Sequence, residues 1–262
     1  MRPARIDEGP PPLVAVAHGS RDPRSAATVE ALLELVRKRA GRGGLSGLRV
    51  SAAFLGHCAP SPRQVLDALP GGPVVVLPLL LTAAYHSETD LPAALHAASA
   101  RRGGLEIRYG RPLGPHPLLI SALERRLGET GAALHPAETS VVLAAAGTSD
   151  PAATAAIAAL AARWRAQRGW RDVVPAYASS SAPAPAAAVA ALKASGAQRV
   201  LVASYLLAPG RFAGQVRDQS LTTGATAVSG VLGAAPELAA IVLHRYREAA
   251  FALPGTEQAR IA

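Results

Sequence analysis

Apolar and polar positions along this chain follow two alternating periods. Leu13–Ala17 is a short, wholly apolar run that stops at a glycine. In residues 25–39 the apolar positions Val29, Leu32, Leu33 and Val36 recur at spacings of three, four and seven, which mark one face of a helix. The same exchange continues along the chain. Strands are expected at 13–17, 49–55, 74–81 and 105–109, and helices at 25–39, 61–69, 90–101 and 117–127. A second series follows, with strands at 141–145, 172–177, 199–206 and 226–231 and helices at 151–167, 185–195, 214–222 and 236–251. The run at 74–81 is apolar throughout and rich in β-branched residues, as in a parallel strand covered on both faces. Strands alternating with helices imply βαβ units and α/β architecture. The expectation is two tandem flavodoxin-like lobes, each a roughly four-stranded parallel sheet with helices on both faces.

The second series repeats the first. LVAVAHGSRDP at 13–23 aligns with VVLAAAGTSDP at 141–151, so Gly19 meets Gly147, Ser20 meets Thr148, Asp22 meets Asp150 and Pro23 meets Pro151. APSP at 59–62 matches APAP at 182–185. The repeat drops one kind of residue: Ala146 stands opposite His18, and Phe212 opposite His86. The chain therefore divides into a disordered lead-in at 1–12, a lobe at 13–135 that keeps reactive side chains, and a degenerate lobe at 136–262. The turn does not need His18, because the second copy is built without a histidine there.

Composition narrows the partners. The formal charge is +9, from 27 basic and 18 acidic residues, yet the lysines are only Lys38 and Lys193 and the arginines are scattered. Few aromatics are available for base stacking, so no nucleic acid is expected. A polyanionic small molecule suits the charge better. Cys58 is the single cysteine, which excludes an internal disulfide and fits a reducing cytoplasm. No segment reaches the ~18 apolar residues of a membrane span, and MRPARIDEGPPP has no apolar signal region, so no membrane association is expected. There is neither a GxxxxGK[ST] loop nor a GxGxxG after the first strand, so ATP and dinucleotides are not indicated.

Open α/β sheets bind ligands beyond the carboxyl ends of their strands. His18 follows the first strand and His86 the third, which places both at that edge of the first lobe. Each imidazole is a candidate metal ligand or proton acceptor. Two histidines alone do not make a closed zinc site, so an open site that holds a metal in passing fits better. His57, after the second strand, and Glu88, beside His86, are further candidate metal ligands. Gly19, Ser20, Arg21 and Tyr85 are candidate substrate contacts. Gly19 lets a flat ligand approach the backbone, Ser20 and Arg21 suit carboxylates, and Tyr85 offers a ring face. His96, His116, His135 and His244 read as structural or solvent-facing.

Strand–HGSRDPR–helix, then FL before an APSP helix start, then VVVLPLLL before a loop and a histidine, resembles the sirohydrochlorin chelatases of the CbiX/SirB type. The resemblance runs along 13–127 and continues more faintly to about 251. It implies two lobes holding a macrocycle in the cleft between them. It also implies insertion of Fe²⁺ or Co²⁺ into sirohydrochlorin without ATP and without a permanent cofactor, in siroheme or cobalamin synthesis. The two family histidines fall on His18 and His86. One departure stands out: the family often places an acid after the Phe-Leu pair, where this chain has Gly56 followed by His57. A non-catalytic tetrapyrrole or metal carrier is the alternative. A phosphatase using His18 is disfavoured, because Ala17 stands where an arginine would precede the histidine. Since one chain holds both lobes, a monomer is expected.

Overall fold

The computed structural model describes residues 9–82, 104–251 and 260–261. The first half contains β1 (Leu13–Ala17), α1 (Pro23–Arg42), β2 (Val50–Phe54), α2 (Pro62–Asp67), β3 (Gly72–Pro78), β4 (Leu105–Tyr109) and α3 (Pro117–Gly128). The second contains β5 (Thr139–Ala145), α4 (Pro151–Arg168), β6 (Asp172–Tyr177), α5 (Pro185–Ala194), β7 (Arg199–Tyr205), α6 (Arg211–Thr222), β8 (Ala227–Val228) and α7 (Pro236–Ala250). A two-residue β9 (Arg260–Ile261) ends the described chain. The helix expected at 90–101 lies outside the described residues.

Both sheets have the expected parallel core. Their orders are β2-β1-β3-β4 and β6-β5-β7-β8, and β9 adds an antiparallel edge to the first. In each, the chain leaves the first strand to one side and returns on the other, so β1/β3 and β5/β7 are topological switch points, where such sheets leave a crevice for ligands.

The strands are apolar because both faces are covered. In β1, Leu13, Ala15 and Ala17 face one cluster while Val14 and Val16 face another with Val65 and Leu66 of α2. The first of these clusters is shared by the halves. It runs from Leu32 and Leu33 of α1 through Leu119 and Leu123 of α3 to Leu143 of β5, Trp164 of α4 and Leu238 and Tyr246 of α7. The outer face of the second sheet has its own core, with Val142, Val202, Val189 and Val216.

The last helix of each half packs on the other half. α3 lies against β7, and α7 against β3, β4 and α1. Polar contacts reinforce the exchange: Glu124 accepts from the Trp164 indole at 3.0 Å and pairs with Arg168 at 2.6 Å, and Arg125 pairs with Glu237 at 3.2 Å. Arg245 of α7 is buried and donates to the Pro112 and Pro115 carbonyls after β4.

The lead-in needs one correction. Pro11 and Pro12 are not a loose tail: the Tyr246 hydroxyl donates to the Pro11 carbonyl at 2.8 Å, and the Val75 N–H to the Pro12 carbonyl at 2.9 Å. The order starts before Leu13 because β3 extends its ladder past the start of β1. No helix among the described residues is long and apolar enough to cross a membrane.

Candidate functional site

The His18 turn is held from both sides. The His18 carbonyl accepts from the Gly56 N–H at 3.1 Å, so the exits of β1 and β2 are bonded together. Gly19 has φ +87°, and a Cβ there would lie 1.9 Å from the Gly56 carbonyl oxygen. Only glycine fits, because any side chain would strike backbone in a conformation L residues resist. Ser20 Oγ accepts from the Asp22 N–H at 3.1 Å. Asp22 in turn caps α1 through the Arg24 N–H at 3.0 Å. Hydrogen bonding from the Arg24 side chain holds the Asp22 carboxyl below its ordinary range. That carboxylate is committed to the cap. The His18 side chain is exposed at this edge, as is Arg21, which makes no ion pair among the described residues.

The β2 exit supplies His57 and Cys58. His57 is exposed at φ 67°, an uncommon conformation for a non-glycine residue. Cys58 is half-buried against the shared core, and its Sγ would lie 3.4 Å from a Cβ on Gly19. The His18 and His57 loops are therefore neighbours at one sheet edge. Among the described residues, no group of three or more His, Cys, Asp or Glu side chains gathers in a way that would hold a metal. His86, Tyr85 and Glu88 lie outside the described residues, as does His96.

The second half builds the same turn. The Ala146 carbonyl accepts from Ser179 N–H at 2.9 Å, Gly147 has φ +94° with a Cβ position 1.8 Å from the Ser179 carbonyl oxygen, and Ser180 repeats the His57 conformation at φ 58°. Thr148 Oγ1 accepts from the Asp150 N–H at 3.1 Å, and Asp150 caps α4 through the Ala152 N–H at 2.8 Å.

The two sheet edges meet. Tyr205, at the end of β7, donates its hydroxyl to the Leu81 carbonyl beyond β3 at 2.8 Å, and burial pushes its pKa far above the ordinary phenol value. A Cβ at Gly210 would stand 3.4 Å from Ser20 Oγ. Sequence periodicity missed this seam, and it also began α6 at residue 214, three residues late, because Arg211 and Phe212 carry no apolar periodicity.

Two other histidines have structural work. His116 Nδ1 accepts from the Leu118 N–H at 3.2 Å and caps α3, and burial pushes its pKa down. His244 stands edge-on to it at 5.6 Å and contacts Glu248 at 3.3 Å.

The CbiX family model matches residues 12–130 and again 140–249, one match for each half. A sirohydrochlorin cobaltochelatase of Priestia megaterium is 29% identical over 200 residues, covering 74% of this chain; the match spans only 63% of that relative's length. A sirohydrochlorin ferrochelatase of Bacillus subtilis is 24% identical over 181 residues, covering 68% of this chain and 69% of the relative. Among solved structures, SirB from Bacillus subtilis with Fe³⁺ superposes with a TM-score of 0.78 at 22% identity, covering 92% of this chain and 96% of that one.

Proposed function

This chain belongs to the CbiX family, and on that premise we propose that it inserts a divalent metal, Fe²⁺ or Co²⁺, into sirohydrochlorin without ATP and without a permanent cofactor. The metal is a substrate. The observation that carries this reading is an exposed His18 on a turn whose second copy folds alike around Ala146. The second copy of the turn folds with alanine at that place, which supports a chemical task for His18.

Metal insertion displaces the two pyrrole N–H protons of the macrocycle as M²⁺ enters its centre. A neutral imidazole, with an ordinary pKa of ~6.5, serves both as proton acceptor and as passing ligand. We assign these tasks to His18 and His86. Imidazole nitrogen suits iron and cobalt alike, so the ligand type does not choose the metal. Few ligands keep the metal transferable. His57 and Glu88 are secondary candidates for receiving it. The carboxylate rim of the macrocycle suits Arg21, Ser20 and the backbone at Gly19, and Tyr85 suits its face. The shared core and exchanged helices support a monomer; the single cysteine supports a cytoplasmic protein, and the scattered arginines and few aromatics support one without a nucleic-acid partner.

The test is absorbance against time for purified protein, sirohydrochlorin and Co²⁺ or Fe²⁺. Turnover above the protein-free rate, lost in His86→Ala with the fold retained, is expected. A stoichiometric spectral change without turnover contradicts the proposal and describes a carrier.

A further inference from the structure

The second half lacks the histidine of its turn, yet its sheet edge lies beside the His18 turn. A Cβ built on Gly210 would lie 3.4 Å from Ser20 Oγ, which makes the two residues neighbours across the seam, and the Tyr205–Leu81 hydrogen bond fixes the same edges a few residues away. Gly210 is the N-cap of α6, and the first two helical residues are Arg211 and Phe212. Both are exposed, and Phe212 is 36% exposed, one of the large apolar side chains left open to solvent among the described residues. α6 does not need either one for its seat, because Val216 and Ser220 supply its buried face. Arg211 makes no ion pair among the described residues. The chain neighbours of these two residues are thus Arg21 on one side and Arg211 on the other, two exposed guanidiniums at one seam with a phenylalanine beside them.

Resting on the chelatase reading above, we propose that Arg211 and Phe212 are the second half's share of the macrocycle site and set its specificity. A flat ring with carboxylates on its rim has an apolar face and an anionic edge. Phe212 packs against the face, and Arg211 pairs a rim carboxylate in the planar geometry guanidinium favours. The degenerate half then has a task in recognition, while proton and metal transfer stay with the first half.

The test uses the full chain, with two readouts. Metal-free sirohydrochlorin is titrated for Kd, and initial rates of Co²⁺ insertion give kcat and KM. Phe212→Ala and Arg211→Ala are expected to raise Kd and KM about tenfold each, with kcat within about twofold of the parent. Phe212→Leu recovers most of the affinity, and Leu221→Ala, at the far end of the same helix, changes neither constant. If Phe212→Ala unfolds, Arg211→Ala and Phe212→Leu carry the measurement. Unchanged Kd in Phe212→Ala and Arg211→Ala, or a fall in kcat alone, overturns the inference while the chelatase reading stands. A parent protein that binds no sirohydrochlorin overturns both.

Discussion

The loop joining the exits of β1 and β2 and the loop joining those of β5 and β6 share one backbone and carry two sets of side chains. In both, a glycine at positive φ lies under a carbonyl, an aspartate caps the following helix, and the residue at 57 or 180 is left-handed. In the second half, hydroxyls fasten the loop: Ser179 Oγ donates to the Ala146 carbonyl at 2.9 Å and Ser181 Oγ to the Thr148 carbonyl at 2.5 Å. In the first half Gly56 and Cys58 stand at those places, and His18 and His57 are exposed. The difference teaches that the turn geometry is fixed by glycine and the cap, which leaves the remaining positions open to fastening in one copy and, on the function proposed above, to chemistry in the other.

The comparison breaks first at the glycines. Gly19→Ala and Gly147→Ala should each cost about 3 kcal/mol or more, because a Cβ meets a carbonyl oxygen in a strained conformation. Denaturant melts should show similar losses in both halves. A neutral effect in either would mean that the backbone is not the shared constraint.

A smaller effect separates the fastenings. Ser181→Ala should destabilise by about 1 kcal/mol through loss of its bond to Thr148. Cys58→Ser should be neutral or slightly stabilising, since the equivalent hydroxyl gains a carbonyl to reach. Equal losses in the two variants would contradict the asymmetry.

The smallest effect is in the exchanged helices. α3 is capped by His116, while α7 has Ala235 at its N-cap and no side-chain cap. Burial first, then the charge of Arg245 and His244, hold His116 below its ordinary pKa, against the opposing pull of Glu248. The unfolded chain therefore binds the proton first on acidification. The contribution is fully present above about pH 6.5 and is lost as pH falls from there through the depressed value. Protonation also removes the Nδ1 lone pair that caps the helix. His116→Asn keeps a cap, and stability measured across this window should show a shallower slope.

The repeat was legible because backbone demands are written in glycine, proline and aspartate. β1, β4 and β6 match their expected limits. β8 is only Ala227–Val228, shorter than the strand expected at 226–231, because edge pairing with β7 ends there. The exchange of α3 and α7 was not legible. An amphipathic face shows that a helix packs, not which sheet receives it, and Leu119 and Leu238 read alike whichever half they cover. At the site, the geometry of the His18 turn was legible, because Gly147, Thr148 and Asp150 repeat it with Ala146 in place of the histidine. The seam of Tyr205 and Gly210 was not, because a hydroxyl reaching a carbonyl across the chain leaves no local pattern.

The central claim is that chemistry resides in the first copy of a duplicated turn, and parallel substitutions at equivalent positions test it most directly. Rates of Co²⁺ insertion into sirohydrochlorin are measured for His18→Ala, Ala146→His and the double variant, with folding checked by circular dichroism. The account predicts that His18→Ala falls by about a hundredfold or more, that Ala146→His matches the parent, and that the double variant stays inactive. Parental rates in His18→Ala, or recovery in the double variant, would contradict it.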